Sequence, residues 1–163
     1  MAVLRIGILL LALWLIQLIL FPYIPLLRFL LDPLFLFFCY WALQRTPARW
    51  LWMMGLFLGL LKDASAGTLF GAWACSFALT GWVIAQVRYL VERDDPLIVG
   101  IWVGLLSGFV TALHALWVNL SDPALHWTFS SAWAMGVLAI SQGALAVYGF
   151  PRVRKVLDAR PVR

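Results

Sequence analysis

From Gly55 to Gly71 the chain places Gly55, Gly59, Asp63, Gly67 and Gly71 at steps of four. On a helix of 3.6 residues per turn, such positions form one slowly drifting stripe. The stripe is almost bare of side chains, so wherever it is helical a second helix can approach its backbone closely, with one carboxylate in the contact. Apolar segments flank it on both sides, and few chains keep a Lys62-Asp63 pair in such surroundings.

The surroundings are those of a membrane protein. Of 163 residues 64% are hydrophobic and 12% charged, with a mean hydropathy of +0.96, whereas soluble domains carry about 25% charged residues. The apolar runs are continuous rather than alternating, which favours helices over a transmembrane barrel. Almost the whole length is taken up by these runs, leaving no room for a soluble catalytic domain. The sequence therefore predicts one all-α polytopic membrane domain with six spans, at about 4–21, 26–45, 47–66, 69–88, 96–120 and 128–150, and a basic tail over 151–163.

Local signals set these limits. Asp32-Pro33, Thr46-Pro47 and Asp95-Pro96 are helix starts, with a capping side chain ahead of a proline in the first turn. Gly67 is the expected stop of the third span and Pro151 of the sixth. The second span is short: Pro33 to Arg45 rises only about 20 Å, against a hydrocarbon core of about 30 Å. The N-terminal run has Arg5 ahead of it but no small-residue cleavage pattern, and is read as a retained span. Gly100, Gly104 and Gly108 form a second small-residue stripe, which with Gly55 and Gly59 is assigned to helix packing. Cys39 and Cys75 fall in apolar runs and are expected to be small buried residues rather than a disulfide.

The net charge of +5 is not a nucleic-acid signal, because five of the twelve Lys and Arg residues lie in the last dozen positions, after the sixth span. With six spans, Arg5, Arg45, Arg49, Arg88, Arg93 and the tail cations share one side, leaving Arg28 and Lys62 on the other. The positive-inside rule then puts both termini in the cytoplasm and the basic tail near anionic lipid. Trp41, Trp50, Trp52 and Trp127 near span ends agree with interfacial anchoring.

Topology gathers the awkward residues. Lys62 and Asp63 lie about 22 to 24 Å along a helix counted from Pro47, and His114 about 27 Å along one counted from Pro96. Both counts start at the inner side and end at one level near the outer surface, where Asp32, Arg28, Asn119, Asp122 and His126 also fall. The expectation is an outward-facing polar depression. Two readings of it stand open: an internal pair in which Lys62 or Arg28 neutralises Asp63 or Asp32 and holds helices in register, and a docking site for a peptide or small molecule. A proton pathway would need carboxylates at mid-membrane depth, and none fall there. His114, His126, Asp122 and Asp63 lack metal-site spacing, and no nucleophile elbow or phosphate loop occurs, so no cofactor, metal or enzymatic activity is expected.

At the stripe the chain resembles MreD, a family of small polytopic rod shape-determining proteins of bacteria, whose third and fourth spans carry Gly-x-x-x-Gly-x-x-x-Asp-x-x-x-Gly-x-x-x-Gly, here Gly55, Gly59, Asp63, Gly67 and Gly71. The second span is similar too, from Asp32-Pro33 to Tyr40-Trp41-Ala42-Leu43. The likeness in length, six apolar segments and basic C-terminus extends over essentially the whole chain; Lys62 departs from the apolar residue expected before the aspartate. The resemblance implies a non-enzymatic component of the cell-elongation complex in the bacterial inner membrane, supporting peptidoglycan synthesis and cell shape. It implies MreC as direct partner and MreB, RodA and its transpeptidase at the level of the complex. It also implies an outline similar to the substrate-binding subunits of energy-coupling-factor transporters, and a vitamin-type transporter subunit is the rival reading. On the first reading Asp32, Asp63, Gly67, Gly71, His114 and Asp122 are expected to receive MreC, the aspartates as hydrogen-bond acceptors and the glycines as points of close approach.

Overall fold

The computed structural model describes residues 2–20, 23–24, 31–44, 47–66, 69–91, 95–121 and 129–158. All regular structure among them is helical: α1 (Ala2–Leu20), α2 (Pro33–Gln44), a 3₁₀ turn (Ala48–Trp50), α3 (Leu51–Ala66), α4 (Ala72–Val87), α5 (Pro96–Ser121) and α6 (Phe129–Asp158). By length and composition two stretches, Pro96–Ser121 and Ala132–Arg154, can cross a membrane. The remaining apolar helical stretches are shorter; the twelve residues of α2 rise about 18 Å.

The short helix is the centre. Leu34, Phe35, Phe37, Phe38, Cys39, Tyr40, Ala42 and Leu43 are all buried, which is how a helix apolar on every side is accommodated. Phe77 of α4 meets Phe35 edge-on at 5.8 Å between ring centroids and Phe38 at 5.7 Å, while Phe150 of α6 meets Tyr40 at 5.1 Å. Around α2 the other helices form two antiparallel pairs, α3 with α4 and α5 with α6, and α1 packs on α2 and α3.

Backbone proximity defines both pairs. A Cβ placed on Gly55 would stand 2.3 Å from the Phe77 carbonyl oxygen, one on Gly59 2.5 Å from Ala74 Cα, and one on Gly81 2.5 Å from the Leu51 carbonyl oxygen. The helix that approaches the stripe is thus the next one in the chain. In the second pair a Cβ on Gly100 would stand 2.8 Å from the Gly143 carbonyl oxygen and one on Gly104 3.0 Å from that of Ala139. Gly108 differs, since its Cβ would meet only the Ala139 methyl, at 3.8 Å.

Two capping signals act as expected: Asp32 Oδ1 accepts the Phe35 N–H at 3.2 Å, and Asp95 Oδ1 accepts the Leu97 N–H at 2.8 Å. Pro47 does not open an α-helix, because its ψ of 141° is extended and a 3₁₀ turn precedes α3. Pro151 does not end α6, which continues to Asp158. A proline inside a helix removes one hydrogen bond and crowds the carbonyl a turn earlier. Here the Arg152 guanidinium donates to the Tyr148 carbonyl at 2.7 Å, adding a side-chain bond in the disturbed turn. Both cysteines are free; Cys39 is buried as expected, but Cys75 is exposed on α4. Trp50 and Trp52 are exposed, whereas Trp41 stacks on Phe37. Arg28, Arg45, Thr46, Gly67, Asp122, His126 and Trp127 lie outside the described residues.

Candidate functional site: a closed polar cluster around Trp73

Neighbouring residues on a helix point about 100° apart, so Lys62 and Asp63, in the last turns of α3, face different partners. Lys62 reaches the start of α2, where its ammonium pairs with Asp32 Oδ2. Asp63 reaches the start of α4. Its Oδ2 accepts the backbone N–H groups of Gly71 and Ala74, both at 3.0 Å, and its Oδ1 accepts that of Trp73 at 3.1 Å.

The second arrangement is a helix cap supplied from another helix. The first turn of any helix leaves N–H groups without internal partners and carries the positive end of the helix dipole. Gly71, immediately before α4, has φ +94°, and a Cβ there would touch nothing within 4 Å. Its glycine therefore serves the left-handed backbone rather than close packing, and that turn presents the three N–H groups to one carboxylate. Asp63 binds the α3–α4 hairpin together at its closed end, while Gly55, Gly59 and Gly81 bring the two backbones together along its length.

Trp73 stands at the centre. The Lys62 ammonium lies 3.5 Å from its ring centroid, and the His114 imidazole stacks on it with centroids 3.7 Å apart and planes 10° from parallel. Two groups this close over one ring must occupy opposite faces, so the indole is sandwiched between a cation from α3 and a histidine from α5. The quadrupole of an aromatic face attracts the cation, more strongly away from water. Phe77 adds a second ring 5.4 Å from the ammonium. Trp14 Nε1 of α1 donates to the Leu61 carbonyl at 2.9 Å, so α1 is attached one residue before this cluster.

The tertiary structure thus brings Asp32, Asp63, Gly71 and His114 of the expected docking residues to one place. It also closes that place. Asp32, Lys62 and Asp63 are only 6%, 8% and 4% exposed, so the open polar depression expected at this level is a buried cluster whose carboxylates already hold internal donors. The internal pair is Asp32 with Lys62 and excludes the adjacent Asp63, because α2 offers the ammonium a carboxylate while α4 offers Asp63 a helix terminus. His114 Nδ1 is buried without a hydrogen-bond partner. Asn119 lies apart, lining an apolar groove of about 310 Å³ on α5 with Phe109, Ala112, Leu113 and Leu116.

Sequence reasoning missed Trp73, whose only signal was its place two residues after Gly71. It also missed Gly81 and Gly143, the small residues facing the two stripes, and Gln142, which is fully buried on α6 with neither amide atom hydrogen-bonded. Among the described residues no group of three or more His, Cys, Asp or Glu side chains is placed to hold a metal ion. No family model, curated protein or solved structure matches this chain.

Proposed function

We propose that this protein is a non-enzymatic, MreD-type component of the bacterial cell-elongation complex. On this reading it crosses the inner membrane six times with both termini in the cytoplasm, and it binds MreC at the end of the bundle that carries the Trp73 cluster. The observation that supports the reading is the cluster around Trp73: Lys62, paired with Asp32, and His114 lie against its indole, while Asp63 accepts its backbone N–H. Such a cluster ties helix ends into one rigid platform rather than assembling a reaction centre. Next to the cluster, the turn that Asp63 fixes holds Leu69 and Phe70 exposed, Phe70 at 73%. An apolar pair on a rigid turn is suited to contact with a membrane-proximal segment, because little conformational entropy is lost when it is covered.

Copurification from detergent tests the reading. MreC coexpressed with this chain is expected to be retained, and Phe70→Asp, which leaves every cluster bond in place, is expected to release it. Retention of MreC by Phe70→Asp together with His114→Leu would remove the docking assignment, and no copurification with the unaltered chain would remove the proposal. The transporter-subunit alternative makes a separate demand: a small molecule in stoichiometric amount, released on denaturation and detected by mass spectrometry.

A further inference from the structure

The two ends of the bundle differ in charge. Antiparallel packing of α3 on α4 and of α5 on α6, with Phe150 against Tyr40, carries the start of α3, the end of α4, the start of α5 and the end of α6 to one end. Arg49, Arg88, Arg152 and Arg154 are all at that end, and Arg49, Arg152 and Arg154 are exposed. At the other end the described charged side chains are Asp32, Lys62 and Asp63, all buried. Among the described side chains, exposed charge is therefore confined to one end and is entirely cationic.

Aromatic residues with polar tips accompany it. Trp50 and Trp52 are 47% and 49% exposed, Tyr89 79% and Tyr148 68%. The Arg49 guanidinium lies over the exposed indole of Trp50, 5.8 Å from the ring centroid. Arg152 spends one donor on the backbone carbonyl of the exposed Tyr148, four residues earlier on α6. Asp95, whose side chain is described at this end, is engaged as the cap of α5. Guanidinium forks match phosphate oxygens, and indole and phenol rings settle at headgroup depth.

We infer that this end is a binding surface for the headgroups of anionic phospholipids, with Arg49 and Arg152 as phosphate contacts and Trp50 and Tyr148 as the aromatic supports beside them. The inference rests on the membrane-embedded reading of the chain and is independent of its place in an elongation complex. A lipid surface is the occupant favoured by charge complementarity, since the exposed cations stand at one end of an apolar bundle together with exposed aromatics.

Tryptophan quenching in bilayers tests it. The full chain is reconstituted in brominated phosphatidylcholine, brominated phosphatidylglycerol and their mixtures, and the relative binding constant of the two lipids is read from the quenching. Preference for phosphatidylglycerol is expected at low salt, weakened at high salt as screening sets in. Each of Arg49→Gln and Arg152→Gln is expected to lower the preference about fivefold, the size expected for one basic residue at an anionic surface, while Arg49→Lys retains most of it. Equal quenching by the two lipids in the unaltered chain, or a preference unmoved in either glutamine variant, overturns the inference alone. Failure of the unaltered chain to enter phosphatidylcholine bilayers overturns the membrane reading with it.

Discussion

Asp63 and Ala74 lie eleven residues apart, and the carboxylate of the first accepts the backbone N–H of the second at 3.0 Å in a buried bond. The same carboxylate takes the N–H groups of Gly71 and Trp73. Removing it takes away the acceptor of three donors at the start of α4. Asp63→Ala is expected to destabilise the protein by about 1 to 3 kcal/mol, the cost of leaving the buried Ala74 donor unpaired, with a smaller addition from the part-buried Gly71 and Trp73 donors. Asp63→Asn, which keeps one acceptor, should fall between. Thermal unfolding in detergent followed by circular dichroism measures both, and equal stability of Asp63→Ala and the parent would show that the cap contributes nothing.

Glycines that look alike in the two stripes should respond differently. Gly59→Ala forces a methyl to within 2.5 Å of the Ala74 backbone, so α3 and α4 must separate; a loss of about 1 to 3 kcal/mol is expected. Gly108→Ala meets only a methyl at 3.8 Å and should be neutral or stabilising by up to about 1 kcal/mol, because alanine is the better helix former. Gly71→Ala meets no atom yet strains a backbone at φ +94°, for a cost of about 1 to 2 kcal/mol. The ranking of the three melting points checks all of them at once.

Lys62 and Asp32 form a buried pair in which each leaves the other uncompensated when removed. Lys62→Met should cost about 3 to 5 kcal/mol, and combining it with Asp32→Asn should recover part of that loss, since asparagine still caps α2 without a charge. A double-mutant cycle with additive effects would mean that the two groups are not coupled.

Gln142 offers the reverse sign. Its amide is fully buried and makes no hydrogen bond, so Gln142→Leu, close in volume, should raise stability by about 1 to 3 kcal/mol. A fall in the unfolding midpoint would mean that the amide has a partner in the folded protein.

Element positions were largely legible because they follow from local chemistry. The Asp32-Pro33 and Asp95-Pro96 starts, the shortness of α2 and the close packing at Gly55, Gly59, Gly100 and Gly104 each depend on a few residues and their immediate backbone. Pro47 and Pro151 were misread for a related reason. A proline removes one hydrogen bond of its own turn, but whether the helix continues through it also depends on packing, and Phe150 beside Pro151 is buried against Tyr40 of α2.

The candidate site was legible only as a level along the helix axes. Counting residues from the helix starts put Asp32, Lys62, Asp63 and His114 at one height, where they are found together. It could not say which way each one turned, so the cluster was expected open when it is closed.

By itself, then, the sequence determined an apolar helical chain with its ionisable residues gathered near one height, because helical rise and capping are properties of short segments. Only the tertiary structure decided that Lys62 takes Asp32, that Asp63 takes the N-terminus of α4, and that Trp73 stands between Lys62 and His114. Those choices depend on helix rotation and on which neighbour lies within about 3 Å, and pairwise packing between distant segments sets both.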